Sequence, residues 1–372
     1  MLSLDDAGKT VGRLYALSTV GSILGTFAAG FVLIPFVGSV RTMYGISAVL
    51  VVLSLILVPF KVTRIGIAVI LLFGLSIITN ETNSYMLREA NDLHDIDSEY
   101  SRIQVFRTTD PRTRRPIRAL ATDPYFTQSA MFLDSDSPAL DYSKYYHLAQ
   151  HYRPGFRSTL VIGGAGYSVP KDFLRRYPDT TIDVVEIDPQ MTLIARRFFR
   201  LVDDPRLNIV HEDARTYLNR SPSGKYDIIL MDAFGSLFSV PYQLTTIEAV
   251  REMRRNISDN GVVIFNLGSA ITGEGSRFLH SELATYREVF PHVLVFKVNA
   301  EYTDDRLQNL MIVALAASGS PLENSADAEI NSLLVDRYDA GFPTTAGIIT
   351  DDLAPVEYYN SIAQNLYLES KR

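Results

Sequence analysis

The stretch "TLVIGGAGYSVPKDFLRRYPDTTIDVVEIDP", residues 159–189, decides the fold of the polar part of this chain. An apolar segment leads through a glycine-rich turn into a helical pattern, and a second apolar segment ends in two acidic residues. Glycine has no Cβ, so such a turn lets a ligand approach the backbone, and the helix that follows presents free N–H groups. A strand, turn, helix and strand in this order are typical of a nucleotide-binding unit.

The same alternation continues towards the C-terminus and predicts a seven-stranded sheet. Apolar segments alternate with helical stretches of regular length, and this pattern indicates a doubly wound, mainly parallel α/β sheet of the Rossmann-like, methyltransferase type. The predicted strands cover residues 159–163, 181–187, 207–211, 226–232, 261–267, 293–298 and 309–316.

The residues around the turn favour an adenosine over a dinucleotide. A dinucleotide fingerprint requires G-x-G-x-x-G, but Val169 stands where the third glycine belongs. Glu186 closes the second strand, 20 residues after Gly166, where an acid accepts hydrogen bonds from ribose hydroxyls. Asp213 ends the third strand, where it can meet an adenine amino group. A glycine turn, a ribose acid and a base acid together predict S-adenosylmethionine or a relative.

An acidic residue also ends the fourth strand, in "YDIILMDAF" (residues 226–234). Ligands of open α/β sheets bind at the carboxyl ends of the strands, and this strand delivers Asp232 to that edge. A carboxylate at the end of a buried strand is costly without a partner or a role. We therefore expect Asp232 to act in catalysis or in binding an amine, with capping of a helix as the alternative.

The first 80 residues predict a membrane region. Residues 14–40 and 42–60 form uncharged runs of 27 and 19 residues, and either is long enough for a span. The third run, residues 65–79, has only 15 residues and is marginal. Basic residues favour the cytoplasmic side. With two crossings and an interfacial or re-entrant third run, they predict an integral membrane protein of the cell membrane with a cytoplasmic soluble domain. Three crossings, which would export the domain or break the charge rule, stay an open alternative.

Charge and composition argue against several classes of partner and site. Residues 1–80 carry a net charge of +3 and the whole chain −7, so residues 81–372 carry −10, which argues against a nucleic-acid partner. The chain has no cysteine, which excludes disulfides and thiolate metal sites, and no cluster has metal-ligand spacing.

The predicted organisation is a membrane region (1–80), a linker (81–97), a small β-unit (98–140), a nucleoside-binding domain (141–317) and a C-terminal extension (318–372).

Five motifs in order resemble the polyamine aminopropyltransferases, the spermidine synthases. They are "MFLDSDSPALDYSKYYHLAQH" (131–151), "TLVIGGAGYS" (159–168), "DVVEIDP" (183–189), "DDPRLNIVHEDARTYL" (203–218) and "YDIILMDAF" (226–234). The hydrophobic segment "GRLYALSTVGSILGTFAAGFVLIPFVG" (12–38), with "SVPYQLTTIEAV" (239–250) and "TDDLAPVE" (350–357), resembles the membrane-fused branch. The first of these looks like an internal part of such proteins, so the chain is expected to correspond to a C-terminal portion of a longer one.

The resemblance implies transfer of an aminopropyl group from decarboxylated S-adenosylmethionine to a polyamine or related amine, without a metal. It implies a homodimer and the following roles. The catalytic residues would be Asp232 and Tyr146; the cofactor would be bound by Gly163, Gly164, Gly166, Glu186, Asp188 and Asp213; the amine would meet Tyr302. Beside the resemblance, Asp351 and Asp352 either bring negative charge to the amine pocket or only cap a C-terminal helix. His147 either packs in the protein or at its surface, or hydrogen-bonds in the active site.

Three departures from the family weaken polyamine specificity. Gly166 and Gly235 stand where the family has acidic residues, and Ser101 stands where a glutamine is expected. Two alternatives therefore stay open. The first is a methyltransferase that uses intact S-adenosylmethionine, and the second is a membrane protein whose domain only senses a nucleoside or polyamine.

Overall fold

The computed structural model describes residues 4–57, 63–123, 126–233, 240–343 and 345–369. The chain divides into two compact units, Met1–Phe106 and Arg107–Arg372. The first unit contains the apolar helices, and the second contains the large sheet and the acidic residues at its edge. Gly235 lies outside the described residues.

The first unit is built from long apolar helices. Helix α1 covers Leu4–Ala28 and continues through a π-helical turn, Ala29–Leu33, into α2, Ile34–Val37. Gly38, with a φ of 93°, then breaks the helix before α3, Ser39–Leu57, and α4 covers Thr63–Asn91. Two helical segments, Gly8–Val37 and Gly66–Ala90, are long and apolar enough to cross a membrane.

The third apolar run differs from the sequence-based expectation. Residues 65–79 were expected to be marginal as a span, yet they lie within the 29-residue helix α4. The apolar part of α3, Ser39–Ser54, is the shorter one. Polar residues after residue 79 continue the same helix, because none of them is a proline or glycine that would end it. The predicted linker, 81–97, is accordingly helical to Asn91 and forms strand β1 at His94–Asp97.

Short antiparallel strands follow. Strand β1 pairs with β2, Arg102–Thr109, with Ile96 opposite Ile103, and the last residues of β2 belong to the second unit. In the second unit β3, Pro116–Ala121, pairs with β4, Ser129–Phe132. Strands β2, β3 and β4 lie within residues 98–140, where the sequence predicts a small β-unit, whereas β1 precedes it.

The seven-stranded sheet is present as predicted. Its order is β10-β11-β9-β8-β5-β6-β7. Strands β5 to β9 run parallel, whereas β11 is antiparallel to both β9 and β10. The bounds are β5 Ser158–Ile162, β6 Thr181–Val185, β7 Leu207–Val210, β8 Tyr226–Met231, β9 Ile257–Ser269, β10 His292–Lys297 and β11 Gln308–Leu315.

Helices cover both faces of this sheet. They are α5 Leu148–Tyr152, α6 Ser168–Arg176, α7 Pro189–Phe198, α8 Ala214–Arg220, α9 Ile247–Asn256, α10 Arg277–Arg287, α11 Ala328–Leu334 and α12 Val356–Glu369. One apolar core includes Ile229 and Phe265, and the other, on the opposite face, includes Ile228 and Ile264. Neighbours along a strand point to opposite faces, so continuous apolar strands fill both cores. The loops after β5, β6, β7 and β8 therefore meet at one edge.

Candidate nucleoside-binding and catalytic site

The glycine loop after β5 lies directly against the end of β8. Gly163 has a φ of 91°, and a Cβ at this position would lie 2.8 Å from the carbonyl oxygen of Asp232. The positive φ and the close backbone together require glycine here. The loop can consequently pack on Asp232, the residue that follows strand β8.

Gly166, which is also part of the loop, lies at a tightly packed position. A Cβ on Gly166 would lie 2.5 Å from Oγ of Ser129 and 3.0 Å from the ring of Phe199. Gly166 stands where the resembling family has an acid, and the side chain of Ser129 occupies the space next to it. A side chain at Gly166 would therefore need Ser129 or Phe199 to move.

Glu186 binds the glycine loop itself. Its Oε2 accepts hydrogen bonds from the N–H of Gly164 at 2.7 Å and of Ala165 at 3.2 Å. Its Oε1 accepts from the N–H of Asp188 at 2.9 Å. Burial raises the pKa of Glu186, and these three backbone hydrogen bonds oppose the increase. A carboxylate has about four acceptor positions, so Glu186 can hold the loop and still accept from a ribose.

Asp188 and Asp213 each begin a helix. The side chain of Asp188 accepts from the N–H of Gln190 at the start of α7. Asp213 accepts from the N–H of Thr216 at 2.8 Å at the start of α8. Asp188 is buried in this role, whereas Asp213 also faces the cleft described below.

Asp232 has a tyrosine partner that sequence reasoning missed. The hydroxyl of Tyr142 donates to Oδ2 of Asp232 at 3.1 Å. Burial raises the pKa of Asp232 to about 6, and the hydroxyls of Tyr142 and Tyr146, which both lie beside this carboxylate, partly oppose the shift. Burial and the neighbouring carboxylate raise the pKa of Tyr142 well above its ordinary value, so this hydroxyl stays a donor. Tyr142 lies within the quoted motif at residues 131–151, which was the available signal.

Tyr146 and His147 lie in the core beside this pair. The hydroxyl of Tyr146 donates to the carbonyl of Met231 at 3.1 Å, and the side chain is fully buried. His147 is also buried, with Nε2 2.7 Å from Asp172 and Nδ1 2.8 Å from the hydroxyl of Tyr177. Both ring nitrogens of His147 are therefore occupied inside the protein. The expected contact of His147 with the amine does not fit this placement.

Two clefts meet near Asp232. The first, which we call the nucleoside cleft, has a volume of about 200 Å³ and is lined by the glycine loop, Glu186, Asp213, Asp232 and Gln128. The second, the aromatic cleft, has a volume of about 250 Å³. Its lining includes Gln128, Tyr142, Asn266 and Tyr302. Gln128 contributes to both clefts, and Tyr142 links the aromatic cleft to Asp232 through its hydroxyl.

The remaining predicted residues separate into two groups. Tyr302 lines the aromatic cleft, as the resemblance implies. Asp351 lines neither cleft: it pairs with Arg215 at 2.9 Å and accepts from the hydroxyl of Thr246 at 2.6 Å. Asp352 is exposed and also lies outside both linings. Within the described ranges no group of three or more histidine, aspartate or glutamate side chains could hold a metal ion.

Sequence reasoning also missed Gln128 and Asn266. Gln128 lies just before β4, and Asn266 lies inside β9. Neither position carries a sequence signal, because an amide in a strand or loop is most often a surface residue. Only the tertiary arrangement brings them to the cleft walls.

Comparison with known proteins agrees with this geometry. A sequence profile described as the spermine/spermidine synthase domain matches residues 142–305. A polyamine aminopropyltransferase of Vibrio vulnificus is 28% identical over 303 residues, which cover 77% of this chain and 97% of the relative. A polyamine aminopropyltransferase of Clostridium acetobutylicum is 28% identical over 123 residues, which cover 32% of this chain and 43% of the relative.

A solved structure supports the fold. The crystal structure of a probable spermidine synthase from Corynebacterium glutamicum has a TM-score of 0.54 and 21% identity, over 73% of this chain and 94% of that chain. The fold and site thus define the second unit as a Rossmann-like α/β protein of the methyltransferase type. More particularly, residues 142–305 match the spermine/spermidine synthase domain. The predicted family and the predicted class, a transferase of the spermidine synthase type, are confirmed.

Proposed function

We propose that this chain is a membrane-anchored aminopropyltransferase that uses decarboxylated S-adenosylmethionine and an amine acceptor. The observation that carries the proposal is the Tyr142–Asp232 pair, which lies where the nucleoside cleft and the aromatic cleft meet. Its position inside a spermine/spermidine synthase domain supports this reaction class.

The nucleoside cleft has suitable groups for the donor. Asp213 and Glu186 supply acceptors for an adenine amino group and ribose hydroxyls, and Gly163 leaves the backbone accessible beside Asp232. The cosubstrate supplies a sulfonium whose attached aminopropyl carbon is open to attack. The residues of this chain bind and orient the nucleoside.

The acceptor nitrogen attacks the carbon bound to sulfur. A C–N bond forms while the C–S bond breaks, and the bond electrons leave with sulfur as neutral methylthioadenosine. The proton lost by the nitrogen passes to the carboxylate of Asp232, whose pKa of about 6 keeps it largely ionised yet basic near pH 7. The donated hydrogen bond from Tyr142 holds this carboxylate in place.

The direct test is to identify the nucleoside released by detergent-solubilised protein. Methylthioadenosine that forms from the decarboxylated donor only when an amine is added would support the proposal. S-adenosylhomocysteine from the intact donor would instead support a methyltransferase, which Gly166 favours because the loop lacks the family's acid.

An Asp232→Asn variant separates an enzyme from a sensor. An enzyme should lose turnover by about 100-fold or more while it retains methylthioadenosine binding. A protein that only senses a nucleoside shows no turnover before or after the substitution. Unchanged turnover in the variant would contradict the role proposed for Asp232.

The apolar helices of the first unit support membrane anchoring. Side chains of the segments Gly8–Val37 and Gly66–Ala90 are exposed along their apolar length, as expected of a surface that meets lipid. If residues 14–40 and 42–60 are the two crossings, the chain returns to the side where it starts, and Lys9, Arg13, Lys61 and Arg64 lie together on that side, which favours the cytoplasm.

The absence of cysteine offers a test of sidedness. A single Asn219→Cys substitution places one thiol on the exposed surface of the second unit. An impermeant maleimide should label it only after the cells are permeabilised. Labelling of intact cells would overturn the cytoplasmic placement, and release of the protein by alkaline carbonate would overturn the anchoring.

A further inference from the structure

A third cavity of the second unit lies apart from the two clefts at Asp232. It has a volume of about 420 Å³ and shares none of its described lining residues with the nucleoside cleft or the aromatic cleft. Its walls come from β4 and the loop after it, from α6, and from residues 200–207. We call it the basic cavity, because its charged lining residues are the cations Lys171, Arg175, Arg200 and Arg206 and the carboxylates Asp136 and Asp204.

Each guanidinium of the basic cavity already has a carboxylate partner. The pairs are Arg175–Asp172, Arg200–Asp136 and Arg206–Asp204. The carboxylate that pairs with Arg175 stands outside the lining, whereas the other two are part of it. The three guanidinium charges are therefore compensated within the protein, and the remaining cation is Lys171.

Lys171 has no such partner. Its ammonium donates to the carbonyl of Phe199 and lies 3.9 Å from the sulfur of Met131, and it forms no ion pair with a carboxylate of the described residues. Burial lowers the pKa of Lys171 to about 8; Asp136 opposes this shift, and Arg200 adds to it. An ammonium has three N–H donors, and lysine is rarely buried without a partner. The cavity thus contains a partly buried cation without its own counter-charge.

Much of the remaining wall is apolar. Met131, Leu174 and Leu201 are buried and line the cavity, whereas Val202 of the same lining is exposed, so the cavity opens to solvent on that side. Small-molecule sites have volumes of roughly 300–1,000 Å³ and combine apolar walls with a few polar groups. A volume of about 420 Å³ lies in this range. The wall fits a compact apolar body beside one negative charge.

From the unpaired ammonium and the apolar wall, we infer that the basic cavity is a binding site for a small organic anion with a carboxylate or phosphate head. The head pairs with Lys171, and the apolar body contacts Leu174 and Leu201. Arg200 supplies a second positive charge, because its pair with Asp136 is long, at 3.3 Å, and exposed, and such pairs contribute little free energy. The site lies outside the residues proposed for aminopropyl transfer and does not depend on that reaction.

Four probes test the inference by calorimetry with the full-length, detergent-solubilised protein near pH 7 and at constant ionic strength. They are phenyl phosphate, benzoate, benzamide and inorganic phosphate. Phenyl phosphate or benzoate should bind at least tenfold more tightly than the other two, and the tighter of these two anions identifies the head group. Equal binding of the neutral benzamide would overturn the role of charge, and equal binding of inorganic phosphate would overturn the role of the apolar wall. Failure of both organic anions to bind would overturn the site.

Two variants locate the binding site. Lys171→Gln removes the charge but keeps an N–H donor for the carbonyl of Phe199, and it should weaken binding of the organic anion at least tenfold. Arg200→Gln should weaken it about threefold. Arg251→Gln removes a positive charge from an exposed position of α9 outside the cavity, so its affinity should equal that of the wild type.

Thermal unfolding verifies that each variant is folded. Arg200 is exposed, so its variant tests the site even where Lys171→Gln is unstable. Unchanged affinity in either folded variant would overturn the assignment to the basic cavity. An equal loss of affinity in Arg251→Gln would also overturn it, because the anion would then respond only to the net charge of the protein.

Discussion

The hydroxyl of Tyr142 lies 3.1 Å from Oδ2 of Asp232 and joins two clefts of different chemistry. The nucleoside cleft on one side is rich in acids, with Glu186 and Asp213 in its wall. The aromatic cleft on the other side has none among its described residues. The Tyr142–Asp232 contact therefore lies between an acidic cleft and a cleft whose described lining is uncharged, and it motivates the following predictions.

Tyr142 and Tyr146 should respond differently to loss of the hydroxyl. Tyr142→Phe removes the donor to Asp232, so kcat/KM should decrease by about 10-fold or more, with little change in stability. Tyr146→Phe leaves the buried carbonyl of Met231 without its side-chain donor, so the free energy of unfolding should decrease by about 1–3 kcal/mol. Steady-state kinetics and urea unfolding of both variants measure these effects. Equal kinetic effects in the two variants would contradict the distinction.

The activity should depend on the ionisation of Asp232. Its pKa of about 6 means that the base is protonated at lower pH. The logarithm of kcat/KM should therefore increase with pH up to about 6 and then level off. If kcat/KM instead decreased at low pH with a midpoint near the ordinary pKa of aspartate, about 4, the burial of this group would be contradicted. Binding of methylthioadenosine over the same pH range serves as the control for folding.

The glycine loop should tolerate no side chain at its first position. Gly163→Ala forces a Cβ to 2.8 Å from the carbonyl oxygen of Asp232 at a φ of 91°. We expect it to lower the free energy of unfolding by about 1–3 kcal/mol and to weaken nucleoside binding. Gly319→Ala is the matched control, since its Cβ would have no neighbour within 4 Å. If thermal unfolding shows equal stability for both variants, the close packing of the loop on Asp232 is wrong.

Glu282 should make stability dependent on pH. This residue of α10 is fully buried, and neither carboxyl oxygen has a hydrogen-bond partner within the described structure. Burial raises its pKa well above the ordinary value of 4.5. The folded protein thus holds a proton that the unfolded chain loses, so the contribution to stability is complete below pH 4.5 and decreases as the pH rises above it.

Glu282→Gln removes this titration. The melting temperature of the variant relative to the wild type should increase from pH 5 to pH 8. Asp259→Asn, at an exposed position, should show no such trend and serves as the control. A difference that stays constant over this pH range would show that Glu282 is ionised in the folded state.

The sequence by itself determined the sheet and the nucleoside edge. Continuous apolar strands that alternate with helices specify a parallel sheet, and the acids at the ends of β6, β7 and β8 follow from the rule that ligands meet the carboxyl ends of strands. Gly163 also follows from local backbone geometry, because a sharp turn after a strand needs a positive φ. The five motifs then identified the family.

Only the tertiary structure decided which side chains line the same cleft. The sequence offered Tyr146 alone, whereas the 3₁₀ helix Asp141–His147 brings two tyrosines to Asp232 and directs the hydroxyl of Tyr142 to Oδ2 of Asp232 and that of Tyr146 to the carbonyl of Met231. The same helix directs His147 into the core. Asn266 and Gln308 lie on the neighbouring strands β9 and β11, 42 positions apart in the sequence, and pairing of these strands brings them to one cleft. Contacts between residues so distant along the chain depend on packing, which no local pattern encodes.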